Sequence, residues 1–152
     1  MKALATDIES YFADVIGTRP WRARRGHGSF LTLDFGRRVR RNGHFYGEWH
    51  LWVYLSNWVL MHSARRIADS DSSHHLIDVA VRRLEEVALT SLEFDPAKLN
   101  TIFEFEGFRL EVSPADYLDD PEDRDSYWLF YMPKGEVLSV GPNGVRGSSS
   151  SE

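Results

Sequence analysis

The stretch Gly47-Glu-Trp-His-Leu-Trp-Val-Tyr-Leu-Ser-Asn-Trp-Val-Leu-Met-His62 holds three of the chain's five tryptophans, and its run of aromatic and aliphatic residues breaks once, at Ser56-Asn57. Two aromatic and β-branched runs separated by turn-forming residues read as the arms of a β-hairpin. Two registers are open. A two-residue turn at Ser56-Asn57 sets Leu55 opposite Trp58, Val53 opposite Leu60 and Leu51 opposite His62; a three-residue loop, Leu55-Ser56-Asn57, sets Tyr54 opposite Trp58, Trp52 opposite Leu60 and His50 opposite His62. One residue of slip exchanges the two faces of a strand, so the registers bury different sets. Asn tolerates the positive φ that hairpin turns demand, which favours the two-residue turn. In either register the first arm is apolar on both sides, with Trp49, Leu51, Val53 and Leu55 on one and Trp52 and Tyr54 on the other. Such a strand belongs in the middle of a sheet covered on both faces, or where something docks.

Upstream, Ser29-Phe-Leu-Thr-Leu-Asp-Phe35 alternates cleanly, with Leu31, Leu33 and Phe35 on one face and Phe30, Thr32 and Asp34 on the other. Asn42-Gly43 is a strong hairpin turn that leads from the arginine segment 37–41 into the central stretch. Near the start, Leu4, Ile8, Tyr11, Phe12 and Val15 recur at helical spacing ahead of Gly17, which predicts a helix over 3–16 with one stripe on the sheet. Downstream, residues 63–73 are polar and supply N-cap candidates. Residues 75–89 then place Leu76, Ile77, Ala80, Val81, Leu84, Val87 and Ala88 on one stripe, with Asp78 and Arg82 four apart on the other. Strands follow over 89–95, 101–106, 108–112, 127–132 and 136–140, separated by turns at Gly107 and Pro133-Lys-Gly135. The expected architecture is therefore α+β: a single domain over 1–140, built as one curved antiparallel sheet of about seven strands with two helices packed on it. Residues 141–152, rich in Gly, Pro, Asn and Ser, read as a flexible tail.

Composition narrows the function more by exclusion than by indication. The 152 residues carry 42% hydrophobic and 27% charged residues, ordinary for one soluble domain. With no cysteine there is no disulfide, thiol nucleophile or thiolate metal ligand. Residues 1–9 carry acids where a signal peptide needs an apolar run, and no segment is long enough to span a bilayer, so a cytoplasmic location without membrane association is expected. The net charge is −5, which argues against wholesale nucleic-acid binding. The charge is unevenly spread: eight arginines stand between residues 19 and 41 against Asp34 alone, while residues 93–136 hold twelve acids against four basic residues.

No G-x-S-x-G, P-loop, H-E-x-x-H or dinucleotide fingerprint is present, so no catalytic residue and no cofactor are assigned. Three groups of candidate site residues remain. An aromatic-lined pocket with a polar element would combine Trp52, Tyr54, Trp58 and Trp128 with His27 or His50. His27, in Gly26-His27-Gly28, is open to substrate, but no partner that would position it as a base is evident. An acidic patch of Asp116, Asp119, Asp120, Glu122, Asp123 and Asp125 lacks the order of a calcium loop and would suit a basic partner. A basic patch of Arg22, Arg24, Arg25, Arg37, Arg38, Arg40 and Arg41, interleaved with aromatics, is the feature a phosphate backbone would use. His50 and His62 can face each other in the three-residue-loop register, but zinc needs a third ligand, and no metal is expected.

The order of Gly28-Ser-Phe-Leu-Thr-Leu-Asp-Phe-Gly36, Trp49-His-Leu-Trp-Val-Tyr54, a helix, Phe103-Glu-Phe105 and Tyr127-Trp-Leu-Phe-Tyr-Met-Pro133 resembles small uncharacterised bacterial α+β proteins, similar in size and acidity to immunity proteins of toxin systems. The resemblance covers residues 20–140 and carries no catalytic residue over. An acidic, motif-free domain with a polarised charge map and surplus aromatics is expected to be a non-enzymatic binding protein that neutralises or regulates another protein, with homodimerisation as a further option. A small-ligand or minor enzymatic pocket on the aromatic sheet and nucleic-acid binding through residues 19–41 are the alternatives.

Overall fold

The computed structural model describes residues 5–115 and 126–149. Within them lie eleven strands: β1 (Arg22–Arg25), β2 (Leu31–Arg41), β3 (His44–Val53), β4 (Ser56–His62), β5 (Arg65–Asp69), β6 (Leu89–Asp95), β7 (Asn100–Phe105), β8 (Phe108–Pro114), β9 (Trp128–Tyr131), β10 (Glu136–Gly141) and β11 (Gly144–Ser149). Two short helices, α1 (Ala5–Tyr11) and α2 (His74–Arg82), accompany them. The strands form two antiparallel sheets, one of six in the order β1-β2-β3-β9-β10-β11 and one of five in the order β5-β4-β8-β7-β6. The expectation of one curved sheet of about seven strands covered by helices is thereby overturned. Helices of seven and nine residues are too short to cover a sheet face, so the sheets cover each other.

The central stretch 47–62 spans both sheets rather than forming a hairpin. Neither register holds: β3 pairs with β2 and β9, and β4 with β5 and β8. Ser56 and Asn57 lack positive φ and belong to β4, opposite Pro114 and Ser113. The chain changes sheets at Tyr54-Leu55, whose amides donate to the carbonyls of Tyr127 and Ser126 before Ser56 N–H turns back onto the Tyr54 carbonyl. The tight turn the sequence places at Ser56-Asn57 lies instead at Ser63-Ala64 (φ 49° and 65°), between His62 and Arg65. Neither residue announces a left-handed turn, and β5 is unforeseen for the same reason. The Asn42-Gly43 turn does form, with φ of 51° and 81° and Arg41 opposite His44.

Alternation then builds the core. Leu31, Leu33 and Phe35 of β2, Leu51 and Val53 of β3, Trp128 and Phe130 of β9, and Leu138 and Val140 of β10 turn inward from the larger sheet. Trp58 and Leu60 of β4, Phe103 and Phe105 of β7, and Leu110 and Val112 of β8 turn inward from the smaller. The two sets meet where the Phe103 and Trp128 rings lie 5.5 Å apart and Trp128 Nε1 donates to Thr101 Oγ1 at 2.9 Å. Phe12, just beyond α1, stacks on Phe130 with centroids 3.9 Å apart and touches Phe103 and Trp128, so the N-terminal segment plugs into both sheets at once.

The helix over 75–89 proves shorter: Ser73 caps α2 by accepting from Leu76 N–H, and a 3₁₀ turn takes over at Arg83–Glu86. Ile77, Ala80, Val81 and Leu84 are buried as the stripe requires, while Leu76 is exposed. Asp78 pairs with Arg25 on β1 rather than with Arg82. Glu85 accepts the Ala23 amide of β1 and holds Arg24, so the outer edge of that strand is occupied and closed to further pairing. Residues 141–149, expected in a tail, supply the end of β10 and all of β11, which pair across a two-residue turn with Gly141 opposite Gly144.

Candidate ligand site on the outer face of the six-stranded sheet

The inward residues of β2 and β3 leave Thr32, Asp34, His50 and Trp52 on the face that points away from the core. Asp34 and His50 oppose each other because of a β-bulge between Phe35 and Arg38. The extra residue bends β2, and at the bulge the strands come so close that a Cβ on Gly47 would stand 2.5 Å from the Phe35 carbonyl oxygen. The polar groups that a bulge leaves over are taken up by side chains. Glu48 accepts Arg37 N–H at 2.9 Å, and Asp34 Oδ1 accepts Gly47 N–H at 2.9 Å.

Asp34 is fully buried, and its carboxylate has three donors. Besides Gly47 N–H, Arg22 Nε lies 2.8 Å from Oδ2, and His50 Nδ1 lies 2.6 Å from Oδ1. Burial pushes this carboxyl up. The hydrogen bond and charge of His50, then the Gly47 amide and Arg22, outweigh burial and hold it below the ordinary carboxylate range. A carboxylate beside Nδ1 fixes the tautomer of the neutral imidazole: Nδ1–H donates and Nε2 is left as an acceptor. No partner for Nε2 exists among the described residues.

His50 is one wall of a cleft of about 330 Å³ whose other walls are Thr32, Arg41, Tyr46, Trp52 and Tyr131. The rings are half-buried, neither in the core nor free on the surface. Tyr46 and Tyr131 stand 5.5 and 5.9 Å from the His50 ring, and the row continues from Trp52 to Tyr54 at 4.2 Å and on to Phe30 at 4.7 Å. Burial, followed by the neighbouring Tyr54 phenol, raises the Tyr131 hydroxyl above its usual range, so it remains a neutral donor near pH 7. The site thus offers flat apolar walls, hydroxyl groups, one imidazole acceptor and one guanidinium. It can bind, and with Nε2 backed by a carboxylate it can also accept a proton.

No known protein family, curated protein or solved structure matches this chain.

Of the pocket residues expected from the sequence, His50 and Trp52 line this cleft and Tyr54 adjoins it. Trp58 and Trp128 are core residues, 1% and 0% exposed, with their indole N–H groups on the Ser29 carbonyl and on Thr101. His27 is exposed and lies 6.2 Å from the Phe30 ring. His62 is on the other sheet, stacked on Phe108, so it cannot join His50 around a metal. The basic patch is largely committed within the chain: Arg22, Arg24, Arg25 and Arg37 each hold a carboxylate, of Asp34, Glu85, Asp78 and Glu48 respectively. Arg38 lies over the Trp21 and Phe45 rings, and Arg40 over Phe45, while Arg41 faces the cleft. The acidic patch, Asp116, Asp119, Asp120, Glu122, Asp123 and Asp125, lies outside the described residues. No helix among the described residues is long and apolar enough to cross a membrane.

Sequence reasoning did not name Asp34, Thr32, Tyr46 or Tyr131 as site residues, and it put Arg41, which lines the cleft, in the basic patch. One signal was available: a single carboxylate inside Phe30-Leu-Thr-Leu-Asp-Phe35, an otherwise apolar strand, needs cationic or donor partners to be buried there.

Proposed function

We propose that this protein binds a small ligand in the cleft formed by Thr32, Arg41, Tyr46, His50, Trp52 and Tyr131. The observation that carries the reading is the combination on one outer sheet face of a row of half-buried rings with a histidine oriented by a fully buried carboxylate. Burying an aspartate there costs desolvation that only its three donors offset. The cleft volume falls at the lower end of the range of small-molecule sites. The test is a fragment screen read by two-dimensional amide and indole NMR together with thermal shift. A ligand that raises the melting temperature should move the Trp52 indole resonance saturably, and Trp52→Ala should remove its binding without unfolding the protein. If no stabilising ligand touches Trp52, and hits cluster on another face, the reading is overturned.

A further inference from the structure

We infer that the occupant of this cleft is a planar carboxylic acid, an aromatic or conjugated acid of one or two rings, whose carboxylate lies on Arg41 and whose own hydroxyl or N–H donates to His50 Nε2. The inference rests on the cleft reading above and adds the chemistry of the ligand.

Charge is the first argument. Arg41 is the one lining residue that is always cationic, it is exposed, and it has no ion-pair partner among the described residues. Its neighbours in sequence are otherwise engaged: Arg22, Arg24, Arg25 and Arg37 hold carboxylates, and Arg38 and Arg40 lie over rings. Among the described residues no acid lines the cleft, and the carboxylate behind it, Asp34, is saturated by Arg22, His50 and Gly47. An anion entering there meets a guanidinium fork suited to bidentate contact and no unscreened negative group.

Shape is the second. Three of the lining residues, Tyr46, Trp52 and Tyr131, are aromatic, and flat groups gain most from such walls. Position is the third. Arg41 sits at the turn end of the hairpin and Trp52 toward the far end of β3, with His50 between them in the row, so a carboxylate on Arg41 directs the attached ring toward His50 and Trp52. A donor on that ring then meets His50 Nε2, the only acceptor nitrogen of the lining among the described residues.

The experiment compares 6-hydroxy-2-naphthoate with its neutral isostere 6-hydroxy-2-naphthamide, both carrying the ring donor, on the wild type, Arg41→Gln and Arg41→Lys, by NMR titration with the Trp52 indole assigned through Trp52→Phe. Naphthoate should bind the wild type about tenfold more tightly than naphthamide, as a charge-assisted pair requires. Arg41→Gln should abolish that preference, lowering naphthoate affinity about tenfold more than it lowers naphthamide affinity, and Arg41→Lys should restore part of it. Equal affinity of the two probes at Trp52, or a naphthoate affinity insensitive to Arg41→Gln, overturns the charge selection and leaves a neutral-ligand cleft standing. Absence of any Trp52 perturbation by either probe at millimolar concentration overturns both.

Discussion

Nδ1 of His50 stands 2.6 Å from Oδ1 of Asp34 at facing positions of β3 and β2, on a sheet face turned away from the core. The pair joins the scaffold to the candidate site, since the carboxylate that orients the imidazole also caps the bulge through Gly47 and anchors β1 through Arg22. Structural and functional consequences of changing it are separable by measurement.

Asp34→Asn should destabilise the protein by about 3 kcal/mol at pH 7, because Arg22 loses its buried counter-charge and the His50 Nδ1–H and Gly47 N–H lose a charged acceptor. The pH dependence follows from the direction of the Asp34 shift. Its carboxyl is depressed in the folded state, so its contribution is complete above the unfolded value of about 3.9 and is lost as pH falls through the lower folded value. Urea unfolding of the wild type should therefore weaken below about pH 4, with a shallower acid limb in Asp34→Asn. Parallel acid limbs in the two proteins would contradict the assignment.

Gly47→Ala and Gly43→Ala separate close approach from backbone conformation. At Gly47 a Cβ meets the Phe35 backbone at 2.5 and 2.6 Å, atoms that cannot turn aside, and a loss of about 3 kcal/mol or more is expected. At Gly43 nothing lies within 4 Å and only the φ of 81° is at stake, so about 1 kcal/mol should be lost. Chemical denaturation of both variants checks the order; equal losses would sink it.

The contact between Trp128 and Thr101 crosses the interface between the two sheets inside the core. Thr101→Val should cost about 1–3 kcal/mol by leaving the indole N–H buried without an acceptor. Once Trp128 is changed to Phe, the same Thr101 substitution should cost less. A double-mutant cycle with no coupling would show that the bond does not contribute.

Phe12→Ala should remove about 3–5 kcal/mol, since the ring fills space between Phe103, Trp128 and Phe130 on two different sheets. Thermal unfolding should remain a single cooperative transition at lower temperature. A change under 1 kcal/mol would mean that the N-terminal segment is not part of the core.

By itself the sequence determined most of the strand segments and their inward faces, though not β5 or β11. The alternation Leu31, Leu33, Phe35, the Asn42-Gly43 turn, the buried side of residues 75–84 and the strands between residues 89 and 140 all rest on local periodicity and backbone preference, and these act over a few residues. Only the tertiary structure decided which strand lies beside which. Tyr54-Leu55 carries the chain from one sheet to the other because Tyr127 and Ser126, more than seventy residues away, accept its amides. Counting back from Asn42-Gly43 in an unbroken hairpin would set Asp34 opposite Leu51. The bulge held by Gly47 and Glu48 moves the register by one, and with a side-chain period of two that single residue brings Asp34 to His50. Strand character is written into neighbouring residues, whereas pairing and register are settled by contacts among distant ones, and the candidate site depends on the latter.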